Sequence, residues 1–372
     1  MNGNCGAEHL WHRVASSSDS YGEIMRKYLV RNCLRKTFKI AVFSTVIFAT
    51  AVVLLFPNLA FSQASLGGQR VGTASGTFLK LPTSARGVGL GGAYVALVDD
   101  ASSTGWNPAG LAGIAEKGFS VSYIQWFADI DYTFASYAQP WPWFSGSAGI
   151  FFGSLSTMMD ETSEYMPYGT GRKFAFNDWV GGVCLARRFT DKLLVGANIK
   201  YVREELGTDV GGPVTNSWLL DVGTKYYVGL STVRMAMLLR DFGPELKPSG
   251  SFSRTLDGSV ISQTYEGFSP PTTFKFGVAF DPVQKAPHKL TTTLEMNHYA
   301  DNAETIKAGL EYTLADVAAL RGGYDFNSDE MGLSLGAGLK VKFAGVGGTV
   351  DYSYSKTQYL GNVNIFSMNL SF

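Results

Sequence analysis

Phe366-Ser367-Met368-Asn369-Leu370-Ser371-Phe372 ends the chain with a large apolar side chain at every second position. A period of two puts Phe366, Met368, Leu370 and Phe372 on one face of a strand and Ser367, Asn369 and Ser371 on the other. Soluble domains rarely finish this way, because chain ends fray into water. The pattern therefore asks for an apolar environment that reaches the last residue.

The same alternation recurs upstream from Lys117. Leu333, Leu335, Ala337, Leu339, Val341 and Phe343 alternate with Ser334, Gly336, Gly338, Lys340 and Lys342. Val195, Ala197, Ile199 and Tyr201 alternate with Gly196, Asn198 and Lys200. Apolar side chains towards lipid and small or polar ones towards a lumen is the signature of a transmembrane barrel. The spacing predicts strands over 117–126, 130–139, 145–155, 174–187, 193–205, 217–227, 233–241, 272–281, 288–299, 304–313, 317–325, 332–343, 347–355 and 363–372. That is an all-β antiparallel barrel of about 14 strands over 116–372, an even number as closure in bacterial outer membranes favours. Residues 252–265 read as a hairpin inside an outer loop, and 156–172, 206–216 and 242–271 as the long outer loops. Tyr123, Trp126, Trp141, Trp143, Tyr226, Tyr227, Tyr352 and Tyr354 fall near strand ends, where rings sit at headgroup level. The last strand is expected to pair with the first, removing both sheet edges. Its terminal Phe has the form that the barrel-assembly machinery reads in outer-membrane proteins, so outer-membrane lipid and that machinery are the first expected partners.

Composition agrees. Charged residues make up 17% of the 372, below the roughly 25% of soluble domains, while 43 Gly, 25 Phe and 18 Tyr suit tight turns and aromatic girdles. A mean hydropathy of +0.04 excludes a bundle of membrane helices. A net charge of zero leaves no electrostatic footprint for nucleic acid.

At the other end, Arg31, Arg35, Lys36 and Lys39 precede an apolar run from Ile40 to Leu55. Basic then greasy is the order of a cleavable export signal, and the run is shorter than the ~20 residues a helical span needs. Ser62-Gln63-Ala64 predicts cleavage after Ala64, so that 1–64 is the signal region, and Met25-Arg26-Lys27 makes a conventional start, leaving 1–24 as an over-extended beginning. Cys5 and Cys33 fall within that region, and Cys184 alone remains, so no disulfide or Cys-x-x-Cys site is expected.

Residues 65–115 read as a Gly-rich plug. Gly87, Gly89 and Gly92 match the spacing of a dinucleotide-binding loop, but Lys80-Leu81-Pro82-Thr83-Ser84 in front of them is no buried parallel strand. Close backbone packing in a crowded space explains Gly87, Gly89, Gly91 and Gly92. Asp99 and Asp100 suit a helix or turn start, with a cation or basic partner as the other reading, and Asn107-Pro108 forces an extended or turn geometry.

The stretches Gly76-Thr77-Phe78-Leu79-Lys80, Ala85 to Ala96, Asp99-Asp100-Ala101 and Trp106-Asn107-Pro108-Ala109-Gly110-Leu111 resemble the N-terminus of the PorV/PorQ family of outer-membrane barrels, whose fold is similar to that of FadL fatty-acid channels. The resemblance covers about 72–113. It implies a hatch plugging a barrel, and a role docking cargo or components of type IX secretion, with 242–271 (Phe252, Tyr265, Phe268, Pro270, Pro271) as contact surface. The alternative it implies is FadL-like uptake of a hydrophobic small molecule, with Phe78, Leu79, Leu90 and Tyr94 lining a lumen pocket.

Enzyme chemistry has little support. His288 and His298 sit about 33 Å apart along one strand at ~3.3 Å per residue, and no nucleophile elbow or metal-protease motif appears. A rim hydrolase using His298 lacks a marked nucleophile. Asp160, Glu161 and Glu164 read as a solvated loop rather than a cation site. No cofactor or catalytic residue is expected.

Overall fold

The computed structural model describes residues 71–372, apart from 129, 257–258, 329–330 and 344. The expected export signal, the start at Met25, cleavage after Ala64, Cys5, Cys33 and the first residues of the plug lie outside the described residues.

Sixteen strands follow one another: β1 (Gly118–Gln125), β2 (Asp131–Trp141), β3 (Gly146–Asp160), β4 (Lys173–Arg188), β5 (Leu193–Leu206), β6 (Val214–Tyr227), β7 (Arg234–Phe242), β8 (Ser251–Leu256) and β9 (Ser259–Thr264). Then come β10 (Thr273–Lys285), β11 (His288–Tyr299), β12 (Thr305–Leu314), β13 (Ala318–Phe326), β14 (Met331–Phe343), β15 (Val346–Thr357) and β16 (Asn362–Ser371). Fourteen of them close an antiparallel barrel, with β7 paired to β10, and β8–β9 form a separate hairpin in the loop between those two. The last strand pairs with the first from Gly118↔Ser371 to Gln125↔Asn364, and Lys117 and Phe372 exchange both backbone hydrogen bonds just below. No edge is left unpaired within the barrel.

Alternation sets which way each strand faces. Leu333, Leu335, Leu339 and Val341 of β14 are 51–59% exposed on the outside, whereas Ser334 between them is 3% exposed. The same holds at the C-terminus, where Phe366, Met368 and Phe372 face out and Ser367 faces in. Tight turns close one end of the barrel. Between β12 and β13, Ala315 and Asp316 both adopt left-handed φ (53° and 55°), as the right-handed twist of a hairpin favours. The long connections 161–172, 207–213 and 243–272 emerge at the other end.

Two expectations need correction. The strand expected to stop at 155 runs to Asp160, because 156–160 keep pairing with 173–177 above the apolar band, where polar outward residues hide the alternation. Trp126, expected in an outward girdle, turns inward with Phe127 (ring centroids 5.3 Å apart) against the lumen core. Tyr123, Trp141, Trp143, Tyr226 and Tyr352 do face out, joined by an outward row Phe152–Trp179–Tyr201–Trp218 with centroids 5.1–6.2 Å apart, whereas Tyr227 stands at the lumen rim beside Lys225.

The chain before β1 fills the lumen as short pieces: a 3-10 turn (Thr77–Lys80), α1 (Ala85–Gly89), α2 (Ser103–Trp106) and a second 3-10 turn (Pro108–Gly113). It starts near the long-loop end, where Ala74 bridges Ser269, and leaves by the short-turn end into β1.

Candidate functional site

The lumen segment is held by glycines that let backbone meet backbone. Ser84 caps α1, its side chain accepting from Gly87 N at 3.3 Å, while Ala85 N donates to Ser367 Oγ at 2.7 Å. The turn after α1 needs left-handed φ at Gly91 and Gly92 (67° and 83°). A Cβ on Gly91 would stand 2.6 Å from Tyr324 N, on Gly92 2.9 Å from Lys307 Nζ, and on Gly89 3.1 Å from Gly336 Cα. Among the described residues no strand precedes α1, whereas a dinucleotide-binding loop needs one in front of it.

Asn107 pins the second half. Its Nδ2 donates to Val95 O (3.0 Å) and Thr224 O (3.2 Å), and its Oδ1 accepts from Ala109 N (3.1 Å). Pro108 opens the following turn against Gly196, where a Cβ would come within 2.4 Å of the Pro108 carbonyl carbon.

Charges concentrate on one side. Arg86 makes a two-pronged pair with Glu311 (2.9 and 3.0 Å) and reaches Asp99 at 3.0 Å. Glu311 also accepts from Arg321 at 2.6 Å, and Arg321 reaches Asp351 at 2.7 Å. Burial opposes the Arg86 charge, but Glu311 and then Tyr94 and Asp99 hold its pKa well above the ordinary value. Asp99 keeps an exposed carboxylate at the cavity mouth; the surrounding wall opposes its charge, yet Arg86 beside it keeps that carboxyl below its ordinary value. Asp100 goes the other way: burial and then Asp99 raise its pKa, against hydrogen bonds from Ser102 N and Oγ. Of the two acids, Asp100 thus serves the turn before α2 and Asp99 serves the ion pair. A charged cavity of about 440 Å³ opens below them at the short-turn end, bordered by Arg86, Asp99, Glu116, Glu311 and Asp351.

The residues expected to line one pocket divide into two groups. Phe78 and Leu79 join an apolar cluster in the long-loop half of the lumen with Ile124, Tyr132, Phe134, Phe151, Val180 and Ile365, whereas Leu90 and Tyr94 pack with Val95, Trp106, Leu238 and Ala279. Tyr94 meets Trp106 edge-on at 5.4 Å. None of the four borders the charged cavity. Sequence reasoning missed Tyr132, Phe134 and Phe151 as inward groups. The signal was there, since the face of β2 that holds Tyr132 and Phe134, opposite Thr133 and Ala135, carries no charge.

His288 and His298 lie at opposite ends of β11, bonded to Tyr312 Oη (2.7 Å) and Glu304 (3.0 Å). Asp160 and Glu161 pair loosely with Lys173 and Arg172, both at 3.6 Å, and Glu164 is exposed. In the outer loop, Phe252 meets Tyr265 at a tilt with centroids 5.3 Å apart and Phe268 is exposed, while Pro270 and Pro271 are packed away.

These features define a class: a fourteen-stranded transmembrane barrel whose lumen is occupied by its own N-terminal segment. Among solved structures the chain is similar to a FadL homologue of Pseudomonas aeruginosa, with a TM-score of 0.53 and 11% identity over 78% of this chain and 98% of that one. It is also similar to the CymD monoaromatic hydrocarbon channel, with a TM-score of 0.51 and 14% identity over 78% and 97%. The fold is that of FadL-type outer-membrane barrels. No protein-family model and no curated protein sequence matches the chain.

Proposed function

We propose that this chain is an outer-membrane channel for small hydrophobic molecules, exported by its N-terminal signal and closed by residues 65–115 acting as a plug. The observation that carries the proposal is the apolar cluster on one side of the long-loop half of the lumen, where Phe78, Leu79, Phe134, Phe151 and Val180 pack together in a place that a polar porin fills with water. Such a surface favours hydrocarbon over hydrated solutes by about 25 cal/mol per Å² of apolar area. The fold shared with a monoaromatic hydrocarbon channel supports the same substrate class. The test is toluene flux into liposomes that carry the purified barrel. Flux above that of empty liposomes, lost when Leu79→Asp places a charge in the apolar half, is the expected result. Equal flux with and without the barrel refutes the proposal.

A second reading makes the chain a PorV/PorQ-type docking component of type IX secretion, with secreted cargo or secretion subunits as partners. It draws on the N-terminal resemblance and on the exposed apolar side chains of the outer loop, Val260 and Ile261 of the hairpin and Phe268 after it. Deleting the chain then blocks surface export of cargo, whereas under the uptake reading export continues and growth on hydrophobic compounds slows.

A further inference from the structure

Resting on the uptake reading, we infer that the hydrophobic molecule crosses the plugged lumen along one sector of its wall, the inner faces of β2, β3 and β4. The wall is unevenly charged. Among the described residues, no Asp, Glu, Lys or Arg points inward from β2 or β3, or from Val180 to Ala186 of β4; Asp178 lies above that stretch, towards the long-loop end. The opposite wall, β10 to β13, carries Lys275, Glu295, Lys307, Glu311, Arg321 and Asp325 facing inward.

Apolar side chains dominate this sector between Asp178 at the long-loop end and Arg188 at the short-turn end, with Ser136 and Ser147 as its buried hydroxyls. Phe134, Phe151 and Val180 belong to the long-loop cluster, and Ala138, Cys184 and Ala186 continue it below, against Ala101, Ala109 and Leu111 of the plug. At the junction a void of about 20 Å³ is lined by Leu79, Gly105, Phe134 and Phe151 and, towards β5–β7, by Lys200, Asp221 and Arg240. The plug is held to the two walls by different chemistry. On the charged side, Glu295 accepts from Tyr94 N and Val95 N (both 2.9 Å) and Glu311 grips Arg86, so separation there would strand buried charges and draw in water. On the β2–β4 side, the side-chain hydrogen bond to the plug is Ser136 Oγ to Ala101 O, at 2.9 Å. A gap opening there exposes hydrocarbon to hydrocarbon, which suits an apolar passenger and excludes ions.

Cys184 is a ready reporter, buried on the inner face of β4 midway along this path and free among the described residues. The experiment uses the full chain with Cys5→Ser and Cys33→Ser, refolded into liposomes and treated with benzyl methanethiosulfonate, with labelling read by mass spectrometry and function by toluene flux. The neutral reagent is expected to modify Cys184 at least about tenfold faster than the trimethylammonium-ethyl analogue, because a fixed charge does not enter an apolar gap. The labelled barrel is expected to lose about tenfold of its flux, since the benzyl group fills a path with little spare room, and Cys184→Ser protein is expected to be insensitive to the reagent. A Thr293→Cys variant of that protein, labelled on the charged wall, is expected to keep its flux within about twofold. Unchanged flux after complete labelling of Cys184, or a block from position 293 in place of 184, would each overturn the path. If the unlabelled barrel carries no more toluene than empty liposomes do, the uptake reading fails and the path falls with it.

Discussion

Gly87 lies flat against the indole of Trp106: a Cβ at position 87 would stand 2.3 Å from Cζ2 of that ring. The contact joins α1 to α2, two helices that neither length nor propensity would stabilise alone. Gly87→Ala forces the ring aside in a packed lumen and is expected to cost about 1–3 kcal/mol. Trp106 Nε1 is buried without a hydrogen-bond partner, so Trp106→Phe removes an unsatisfied donor as well as bulk. The double variant should therefore be more stable than the sum of the single changes implies. The coupling is read from heat-modifiable mobility across a double-mutant cycle, and strict additivity would sink the packing argument.

Asn107 uses three hydrogen-bonding positions at complete burial, joining Val95, Ala109 and the β6 carbonyl of Thr224. Asn107→Leu leaves two carbonyls and one N–H without partners, and a loss of about 2–4 kcal/mol is expected. Asn107→Asp should be worse, because it adds a buried charge and repels the two carbonyls. If Asp proves milder than Leu in a urea titration, the side chain does not act as this pin.

The acidic pair predicts opposite responses to pH. Asp99, held low by Arg86, contributes stability that is present above its unfolded pKa and lost as pH falls through its folded one. Asp100, pushed up by burial and by Asp99, has the reverse sign: its charge costs nothing at low pH and is felt as pH rises through its raised value. At about pH 7, Asp99→Asn should lower stability by roughly 0.5 kcal/mol, discounted for its exposed carboxylate, and Asp100→Asn should raise it by a similar amount. The Asp100 difference should vanish in acid, once that carboxyl is protonated folded and unfolded alike, whereas the Asp99 difference should persist further into acid and fade only as pH falls through its lowered folded pKa. Melting curves recorded down through the acid range decide; an Asp100 difference that persists in acid means that the substitution acts through packing.

The barrel was legible in the sequence because lipid enforces its rule at every strand. Leu333 to Val341 must alternate when one face is hydrocarbon and the other is lumen, and even the hairpin at 252–265 stood out by lacking the span's length. What fills the lumen obeys no such period. Gly91 and Gly92 announce close packing, but nothing local says that they meet Tyr324 and Lys307, more than two hundred residues away. Leu90 and Tyr94 fell into a different cluster from Phe78 and Leu79 because the plug turns back on itself at those same glycines. Trp126 misled for the opposite reason: it stands at a strand end where girdle residues are common, and only the short loop 126–130 turns it inward.

Phe372 separates two ways in which a terminal strand can matter. Its backbone N–H and C=O pair with Lys117 and extend the closing ladder by one rung, while its ring is half exposed on the outer face. Phe372→Ala keeps the rung and removes the ring, whereas deletion removes both. If the ring is what the assembly machinery reads, both variants should yield about tenfold less inserted barrel, and the molecules that do fold should melt within about 0.5 kcal/mol of the parent, because an exposed side chain adds little to folded stability. If the rung matters instead, Phe372→Ala inserts normally and the deletion melts lower, by about 1 kcal/mol for two lost backbone bonds at a fraying end. The first outcome is the expected one. Phe366 and Met368 already secure the outer face of β16, and the rung lies at the water-exposed end of the barrel, where closure depends least on it.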